Sequence, residues 1–331
     1  MSEQYCDYFQ GLRDALRTCR LALLQHCDLS DKLALCNAIG GIGLSIECLR
    51  SCEDQFVLQG GPIVDHRALP ADLASRLDFY ADRYRTASSK ASLHQRTAAS
   101  ALRSAGICLL GNAVEDALPV LPMRTAGFST QLDPVAALCS IESQIFDIEI
   151  SAAEVCAAIA LRFPEIPIDF DLCLAFQCAE EGRHASLLAE EFTRMGGEFG
   201  LVKQDLRIWN QVALAESLEQ AVCIEHILGE GYALGHDLHA AAKCRDSGLS
   251  SLASVHESLQ WDEIMHVKDA ISFLQSRRVP LDELICTFEK TCASEPPTGE
   301  WFRSDIREWV GFTKPQIERQ RRLVGTKRVQ P

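Results

Sequence analysis

Two short motifs, each preceded at a fixed distance by a glutamate, constrain this chain more than any other feature. Glu181-Gly182-Arg183-His184 and Glu263-Ile264-Met265-His266 both read Glu-x-x-His. Positions i and i+3 lie on one helix face, a turn apart, so a carboxylate and an imidazole at that spacing can grip one ion. Glu149 stands 32 residues before Glu181, and Glu230 stands 33 before Glu263. In an antiparallel helix pair, residues equidistant from the turn sit at the same level. The midpoint of 149 and 181 is 165, inside the break Phe163-Pro164-Glu165-Ile166-Pro167. The midpoint of 230 and 263 falls between Asp246 and Ser247, inside Arg245-Asp246-Ser247-Gly248. Each glutamate is therefore expected level with the Glu-x-x-His pair on the adjoining helix, and the two halves repeat with an offset of 81–82 residues.

The surrounding sequence supplies the helices. Alternating apolar and polar runs are nearly absent, and long segments carry the 3.6-residue period. Asp133 reads as an N-cap with Pro134 at the first helical position, opening a helix that runs to about Arg162. A second starts at Asp169 or Asp171 and ends at Gly196-Gly197, a third spans Asp205 to Leu234, and a fourth runs from Ser250 to about Arg277, before Pro280. Residues 4–27, 31–53, 70–90 and 94–112 also read as helices; Gln59–Pro62 and Leu118–Thr130 read as loops. Downstream, Leu281–Thr291 and Ser304–Leu323 form shorter helices split by Pro296-Pro297. The expected architecture is all-α: a four-helix bundle over 131–278, an N-terminal helical region over 1–130 packing on it, and a C-terminal helical extension over 279–331. The extension ends in a basic tail, Arg319–Arg322 with Lys327 and Arg328, read as a solvated end.

The six residues fall on apolar faces. Glu149 shares one with Ile145, Ala153 and Cys156; Glu181 and His184 share one with Leu174, Gln177 and Leu188. Glu230 sits with Ile227 and Leu234, and Glu263 and His266 with Leu259 and Ala270. A charge in an apolar stripe is costly unless it is paired or bound to metal. Four inward carboxylates with two imidazoles form the di-iron carboxylate constellation of ferritin-like bundles. Other assignments stay open. Glu142, seven residues before Glu149, is an alternative ligand from the first helix. His226 and His256 also lie on inward faces, as buried hydrogen-bonded histidines or as extra ligands. Glu225 falls off the face of Glu230 and is expected at the surface; Glu180 points about 100° from Glu181 and has Arg183, not His, at i+3. The competing reading is a bundle with coincidental acids and no metal.

Three stretches carry a family resemblance. Ala137 through Glu149 (ALCSIESQIFDIE), Ala179 through His184 (AEEGRH) and Trp261 through Val267 (WDEIMHV) resemble an uncharacterised ferritin-like family of bacterial proteins. It is described as a domain of unknown function and is distantly similar to di-iron tRNA hydroxylases and rubrerythrins. The resemblance covers about 134–275, extends to Trp301–Phe312, and is weak over 1–130. It implies a di-metal site at Glu149, Glu181, His184, Glu230, Glu263 and His266, and leaves the substrate open.

Composition removes several function classes. The formal net charge of -14 opposes a broad phosphate-backbone binder. Apolar stretches such as Val155–Leu161 are far too short to span a bilayer, and Met1-Ser2-Glu3-Gln4 lacks the start of a secretion signal, so a cytoplasmic protein is expected. The 15 cysteines include no C-x-x-C pair; Cys139, Cys156, Cys173 and Cys223 sit in apolar helical contexts and read as buried reduced thiols. Cys48-x-x-x-Cys52 has no further ligand nearby, and Gly40-Gly41-Ile42-Gly43 follows a helical pattern rather than a strand, which excludes a dinucleotide loop. No Gly-x-Ser-x-Gly appears, and no Ser/His/Asp or Cys/His set stands out.

Oxygen ligands with imidazole suit Fe(II) or Mn(II) better than zinc. Two ions, Fe/Fe or Mn/Fe, can each give one electron to O2. The expectation is an O2-dependent di-iron oxidase or oxygenase that hydroxylates, N-oxygenates or desaturates a small molecule, with O2 as co-substrate, an external electron donor and a homodimeric state. A tRNA nucleoside hydroxylase is the second enzyme reading. Iron handling, as ferroxidase or storage, is a third; about 130 additional N-terminal residues fit an enzyme better than a storage subunit.

Overall fold

The computed structural model describes residues 3–25, 28–59 and 134–326. The expected helices 70–90 and 94–112, the loop 118–130, the cap Asp133 and the tail residues Lys327 and Arg328 lie outside them. No strand occurs among the described residues, and no described helix is long and apolar enough to cross a membrane. The chain is all-α.

Helices α1 (Glu3–Gln25) and α2 (Leu29–Gln59) come first. One long rod follows, built of α3 (Pro134–Ser143), a π-helical stretch π1 (Gln144–Ile150) and α4 (Ser151–Arg162). After the Phe163–Pro167 turn, α5 (Ile168–Arg194) runs back along it. Asp169 and Asp171 sit in the first turn of α5 and Arg194 in the last, each where the helix dipole favours its charge. Gly196, at φ +83°, ends it; Gly196 N–H donates to Thr193 O and Gly197 N–H to Phe192 O, both 2.9 Å, which is the Schellman arrangement.

The third expected helix is not continuous. It is divided into α6 (Arg207–Val212), α7 (Leu218–Val222), a second π-helical stretch π2 (Cys223–Glu230) and α8 (Gly231–Ala233). The break has a local cause: Ser217 Oγ accepts from Gln220 N, while Gln220 Oε1 accepts from Glu216 N at 2.8 Å. That is close to a capping box, and it starts a new helix inside a pattern whose apolar period continues. Gly235, at φ +101°, then turns the chain into α9 (His236–Asp246), which packs against α10 (Ser250–Ser276). A Cβ at Gly235 would lie 2.2 Å from Trp301 O, so the turn needs glycine for space as well as for φ.

Helix α11 (Leu281–Cys292) follows as expected. The segment read as one helix over Ser304–Leu323 is two, α12 (Ser304–Val310) and α13 (Lys314–Thr326). Gly311, at φ +118°, ends the first, and Thr313 N donates to Gln316 Oε1 at 2.8 Å to start the second. The Arg319–Arg322 cluster is therefore helical rather than a loose end, with Arg319 paired to Glu289 and Gln320 fully buried beneath it.

The N-terminal helices touch the segment that carries the first Glu-x-x-His. Helix α2 lies along α5, and α1 contacts α2 and α4. Arg20 of α1 ion-pairs with Asp171 of α5. The contact between α2 and α5 is close because of glycine: a Cβ at Gly182 would lie 2.5 Å from the Cβ of Cys36, and one at Gly43 would lie 3.1 Å from that of Ala175. The run at 40–43 is thus a helix-packing surface, as its helical period predicts. Overpacking a filled interior typically costs about 1–3 kcal/mol. We expect Gly182→Ala to lower stability by that amount in urea unfolding of metal-free protein. Gly41→Ala, in the same contact region but with nothing within 4 Å of its added Cβ, should be neutral or stabilising by up to about 1 kcal/mol. Equal effects would show that the α2–α5 approach is looser than described.

Candidate metal centre

The six expected residues converge. Two sets of donor atoms each lie within 4.8 Å of one another: Glu149, Glu181, His184 and Glu263, and Glu181, Glu230, Glu263 and His266. The sets share Glu181 and Glu263. Each set also has a glutamate of its own from a π-helical stretch and a histidine of its own from a Glu-x-x-His pair. The two donor sets thus overlap at two carboxylates, and each could hold a metal ion.

Both imidazoles present Nδ1 to the cluster. His184 Nδ1 lies 3.1 Å from Glu149 Oε2, 3.1 Å from Glu181 Oε2 and 3.5 Å from Glu263 Oε1. His266 Nδ1 lies 3.4 Å from Glu181 Oε1, 3.8 Å from Glu263 Oε2 and 3.9 Å from Glu230 Oε2. Both Nε2 atoms face outward onto an acid of the opposite half. His184 Nε2 is 2.9 Å from Asp262 Oδ2, and His266 Nε2 is 2.9 Å from Glu180 Oε2. Arg183 ion-pairs with the same Asp262. The residue before each motif glutamate thus fixes the ring and tautomer of the other motif's histidine, the support that metal-ligating imidazoles need. Glu180 does point away from Glu181, as its 100° offset requires, and this carries it to His266.

The glutamates of the rods are aimed by π-helical register. Wider turns bring residues five apart onto one face. Gln144 Nε2 donates to Glu149 Oε1 at 2.9 Å, and Ser151 Oγ donates to Phe146 O, also five residues back. Glu225, five before Glu230, lies on the same cavity wall as Glu230 and is buried, 5% exposed. The surface position expected for Glu225 is thus corrected: it follows from a 3.6-residue period that does not hold over Cys223–Glu230. A buried glutamine links the halves further. Gln177 Nε2 donates to Glu230 Oε1 at 2.5 Å and Gln177 Oε1 accepts from His226 Nε2 at 2.8 Å.

The alternatives resolve by position. Glu142 accepts from Gly200 N and Leu201 N, at 2.6 and 2.9 Å; it anchors the loop after α5 and is in neither donor set. His226 is buried and bonded to Gln177, one residue removed from the cluster. His256 bonds through Nδ1 to Asp237 Oδ1 at 2.9 Å and is likewise in neither set.

The electrostatics call for positive charge at the centre. Burial, with Glu263 close by, pushes the Glu181 carboxyl up to about 8. Burial and Glu263 push Glu225 up to about 8 as well, and burial raises Glu230 and Glu263. Burial alone would lower His184 and His266, but hydrogen bonds to Asp262, Glu149 and Glu181 around the first, and the Glu180 hydrogen bond with the nearby carboxylates of Glu263, Glu230 and Glu181 around the second, outweigh it and hold both well above the usual imidazole value. Either shared protons or a cation can supply that positive charge. His266 Nδ1 and Glu230 Oε2 are buried and have no hydrogen-bond partner. Both belong to the second donor set. Buried polar atoms left without a partner are rare in a folded interior, and a cation between these two would satisfy both. The residues fit a metal ion, and hard carboxylate oxygens with imidazole define the kind of donor set.

A cavity of about 720 Å³ reaches the cluster. Glu149, Glu181, Glu230 and Glu263 face it together with Gln144 and Glu225, and Ile141, Ile148, Ile224 and Leu252 supply apolar wall.

We expect Glu180→Gln and Asp262→Asn each to weaken binding of an added divalent ion by about 10–100-fold, the usual effect of removing an outer partner of a ligating histidine. Competition against a chelator measures it. Glu142→Gln should leave the affinity unchanged and act only on stability. An affinity loss in Glu142→Gln as large as that in Asp262→Asn would move the first-rod ligand.

Residues 113–318, more than half of the chain, match the model of a family described as Protein of unknown function (DUF455). No curated protein and no solved structure matches the chain.

Proposed function

The chain belongs to the family DUF455, and we propose that this member is a non-haem di-iron carboxylate oxidase or oxygenase, acting on a small molecule from a ferritin-like four-helix bundle. One observation carries the reading: two four-residue donor sets share Glu181 and Glu263, while each keeps one glutamate and one histidine of its own. A single structural ion would use one set, and a structural zinc site would be closed by four ligands with no approach for a second molecule. Here a cavity ends on the shared carboxylates.

In this reading Glu149 and His184 would hold one ion and Glu230 and His266 the other, with Glu181 and Glu263 available to both. An iron pair, or manganese with iron, supplies two electrons for the reduction of O2. The protein's own part is positional. Glu180 and Asp262 hold the imidazole rings, Gln144 and Gln177 hold the oxygens of Glu149 and Glu230, and the isoleucines of the cavity wall keep bulk water from the centre. Glu225 places a second buried carboxyl on the cavity wall beside Glu230. The substrate is a small molecule that fits the cavity; a cytoplasmic location, an external electron donor and a homodimer belong to the same proposal. The net charge of -14 sets nucleic acid aside as a partner.

Metal analysis and oxygen uptake test the reading. Wild type should hold two ions per chain. Glu263→Ala, which removes a shared ligand, should lose more metal than Glu230→Ala, which removes an unshared one, with helix content by circular dichroism unchanged in both. His184→Ala should lose at least one ion. Anaerobically reduced, iron-loaded protein mixed with aerated buffer should consume O2 and develop the visible absorption of a ferric pair, and Glu149→Ala should do so far more slowly. One ion per chain in wild type, or equal metal loss in Glu263→Ala and Glu230→Ala, would remove the shared-carboxylate assignment.

A further inference from the structure

The cavity that reaches the acid–imidazole cluster has two permanent cations on its wall, Arg207 and Lys243. They stand at different distances from the cluster. Lys243 of α9 and Leu252 of α10 are equidistant from the turn between those helices, and Leu252 lies eleven residues before Glu263, about 16 Å along the helix. Arg207 is level with the cluster. Two hydrogen bonds pin the start of α6 alongside the first rod: Asp205 N donates to Asp147 Oδ1 at 2.8 Å, and Trp209 Nε1 donates to Glu154 Oε2 at 3.0 Å. Arg207 stands between those two anchors on its segment, as Glu149 stands between Asp147 and Glu154 on the rod. We propose that the substrate is a small carboxylic acid whose carboxylate is held by Arg207 while its apolar part reaches the shared acids Glu181 and Glu263.

The head of Arg207 is free for a ligand. Its backbone N–H donates to Asp205 Oδ1 at 2.9 Å, but among the described residues its guanidinium makes no hydrogen bond and no ion pair. The buried arginines Arg20 and Arg183, by contrast, are spent on Asp171 and Asp262. Gln211, one turn on from Arg207, lines the same cavity and uses one N–H on Thr291 O at 3.1 Å, which leaves its other N–H. Ser294 joins the wall from the segment after α11. Its backbone N donates to Leu228 O at 2.7 Å, which ties it to π2, and its hydroxyl makes no hydrogen bond among the described residues. A guanidinium with amide and hydroxyl donors suits a carboxylate, which accepts at both oxygens.

Charge decides which anion. Under the di-iron reading, on which the inference rests for its reaction, the four carboxylates of the cluster balance two divalent ions, so the centre does not repel an acid. Asp237 and His256, on the wall towards Lys243, are paired with each other at 2.9 Å. Glu225 and Glu295 are further acids of the wall, and Arg207 pairs with neither. One free cation in such company matches a single negative charge and not the nearly two of a phosphate group. Ile148, Ile208 and Ile224 add apolar wall for a hydrocarbon part, and about 720 Å³ is the volume of a small-molecule pocket.

Isothermal titration of metal-loaded, oxygen-free protein with hexanoate, hexanol, hexylamine and hexyl phosphate tests the proposal. Hexanoate should bind at least about tenfold more tightly than the other three. Arg207→Gln should weaken hexanoate at least about tenfold, the usual loss when a charged hydrogen-bond partner is removed, with metal content and hexanol binding unchanged. Lys243→Gln should bind hexanoate as wild type does. Three results overturn the proposal: no binding of hexanoate, a preference for hexyl phosphate, or equal hexanoate binding by Arg207→Gln, which would put the acid on the metal ions or elsewhere. A second measurement uses wild type and needs no variant to fold. Hexanoate should slow modification of Arg207 by phenylglyoxal, followed by peptide mass spectrometry, and hexanol should not; equal rates with the two overturn the proposal. The oxygenase reading fails separately. Hexanoate bound through Arg207 with no change in O2 uptake supports this site and counts against that reading.

Discussion

Four carboxylates and two imidazoles cannot share a dry helical interior unless something positive stands among them. In a medium of low dielectric each unpaired charge is expensive, and like charges a few ångströms apart force protons onto one another. The upward shifts of Glu181, Glu225, Glu230 and Glu263 express that demand. Much of the surrounding architecture answers it. Asp262 and Glu180 pull the outer nitrogens of the histidines away from the centre, so that Nδ1 is left to face the acids. Arg183 balances Asp262, whose carboxyl is held down to about 2: burial would raise it, and the Arg183 charge and the His184 hydrogen bond outweigh burial. Because each brace comes from the opposite half, neither Glu-x-x-His pair can shift along its helix without moving the other. The close approach of α2 to α5 at Gly182, within the first motif, adds a steric stop to the same register.

The π-helical stretches are the device by which two ordinary rods deliver glutamates to this centre. An α-helix carrying Glu149 would turn Gln144 about 140° away from it, since five residues at 100° each make 500°. Over Gln144–Ile150 the wider turn puts both on one side, and the amide holds the carboxylate. Cys223–Glu230 does the same for Glu225 and Glu230. That both rods change register at the level of the cluster, and return to α-helix beyond it, ties the irregularity to the site rather than to a weak sequence. The stretches are rich in apolar and β-branched residues, and no glycine or proline precedes Glu149 within π1.

This explains what was legible in the sequence and what was not. The helical class, the limits of α5 and α10, and the convergence of Glu149, Glu181, His184, Glu230, Glu263 and His266 follow from period and equal spacing alone. Equal spacing survives the Gly235 turn because α9 continues antiparallel to α10 after it. What spacing misses is local departure from 3.6 residues per turn. Glu225 and Gln144 become visible only through a five-residue interval. The breaks at Ser217 and Thr313 were available as Ser217-Leu218-Glu219-Gln220 and Thr313-Lys314-Pro315-Gln316, capping signals inside an apolar period that masks them. The supporting acids leave a trace as well: Glu180 and Asp262 each precede a motif glutamate. A single-helix view sees them point away, and only the facing helix shows the histidine they reach.

The repeat between the halves is real in spacing but unequal in surroundings, and the inequality gives the site a direction. Glu149 and His184 are buried, at 2% and 0% exposure, and Glu149, which also lines the cavity, is held by Gln144. On the other side, Glu230 is only partly buried, like the shared Glu263; Gln177 holds its Oε1 and Glu180 holds His266 Nε2, while Glu230 Oε2 and His266 Nδ1 have no hydrogen-bond partner, and Glu225 stands beside them on the cavity wall. A cation held by the first set would find its donors already constrained by neighbours. One held by the second would complete the two donors that are otherwise unsatisfied, and the cavity reaches carboxylates of both sets. The two donor sets built from one repeated motif thus differ in how completely their own atoms are satisfied, and that difference, rather than access to the cavity, sets them apart.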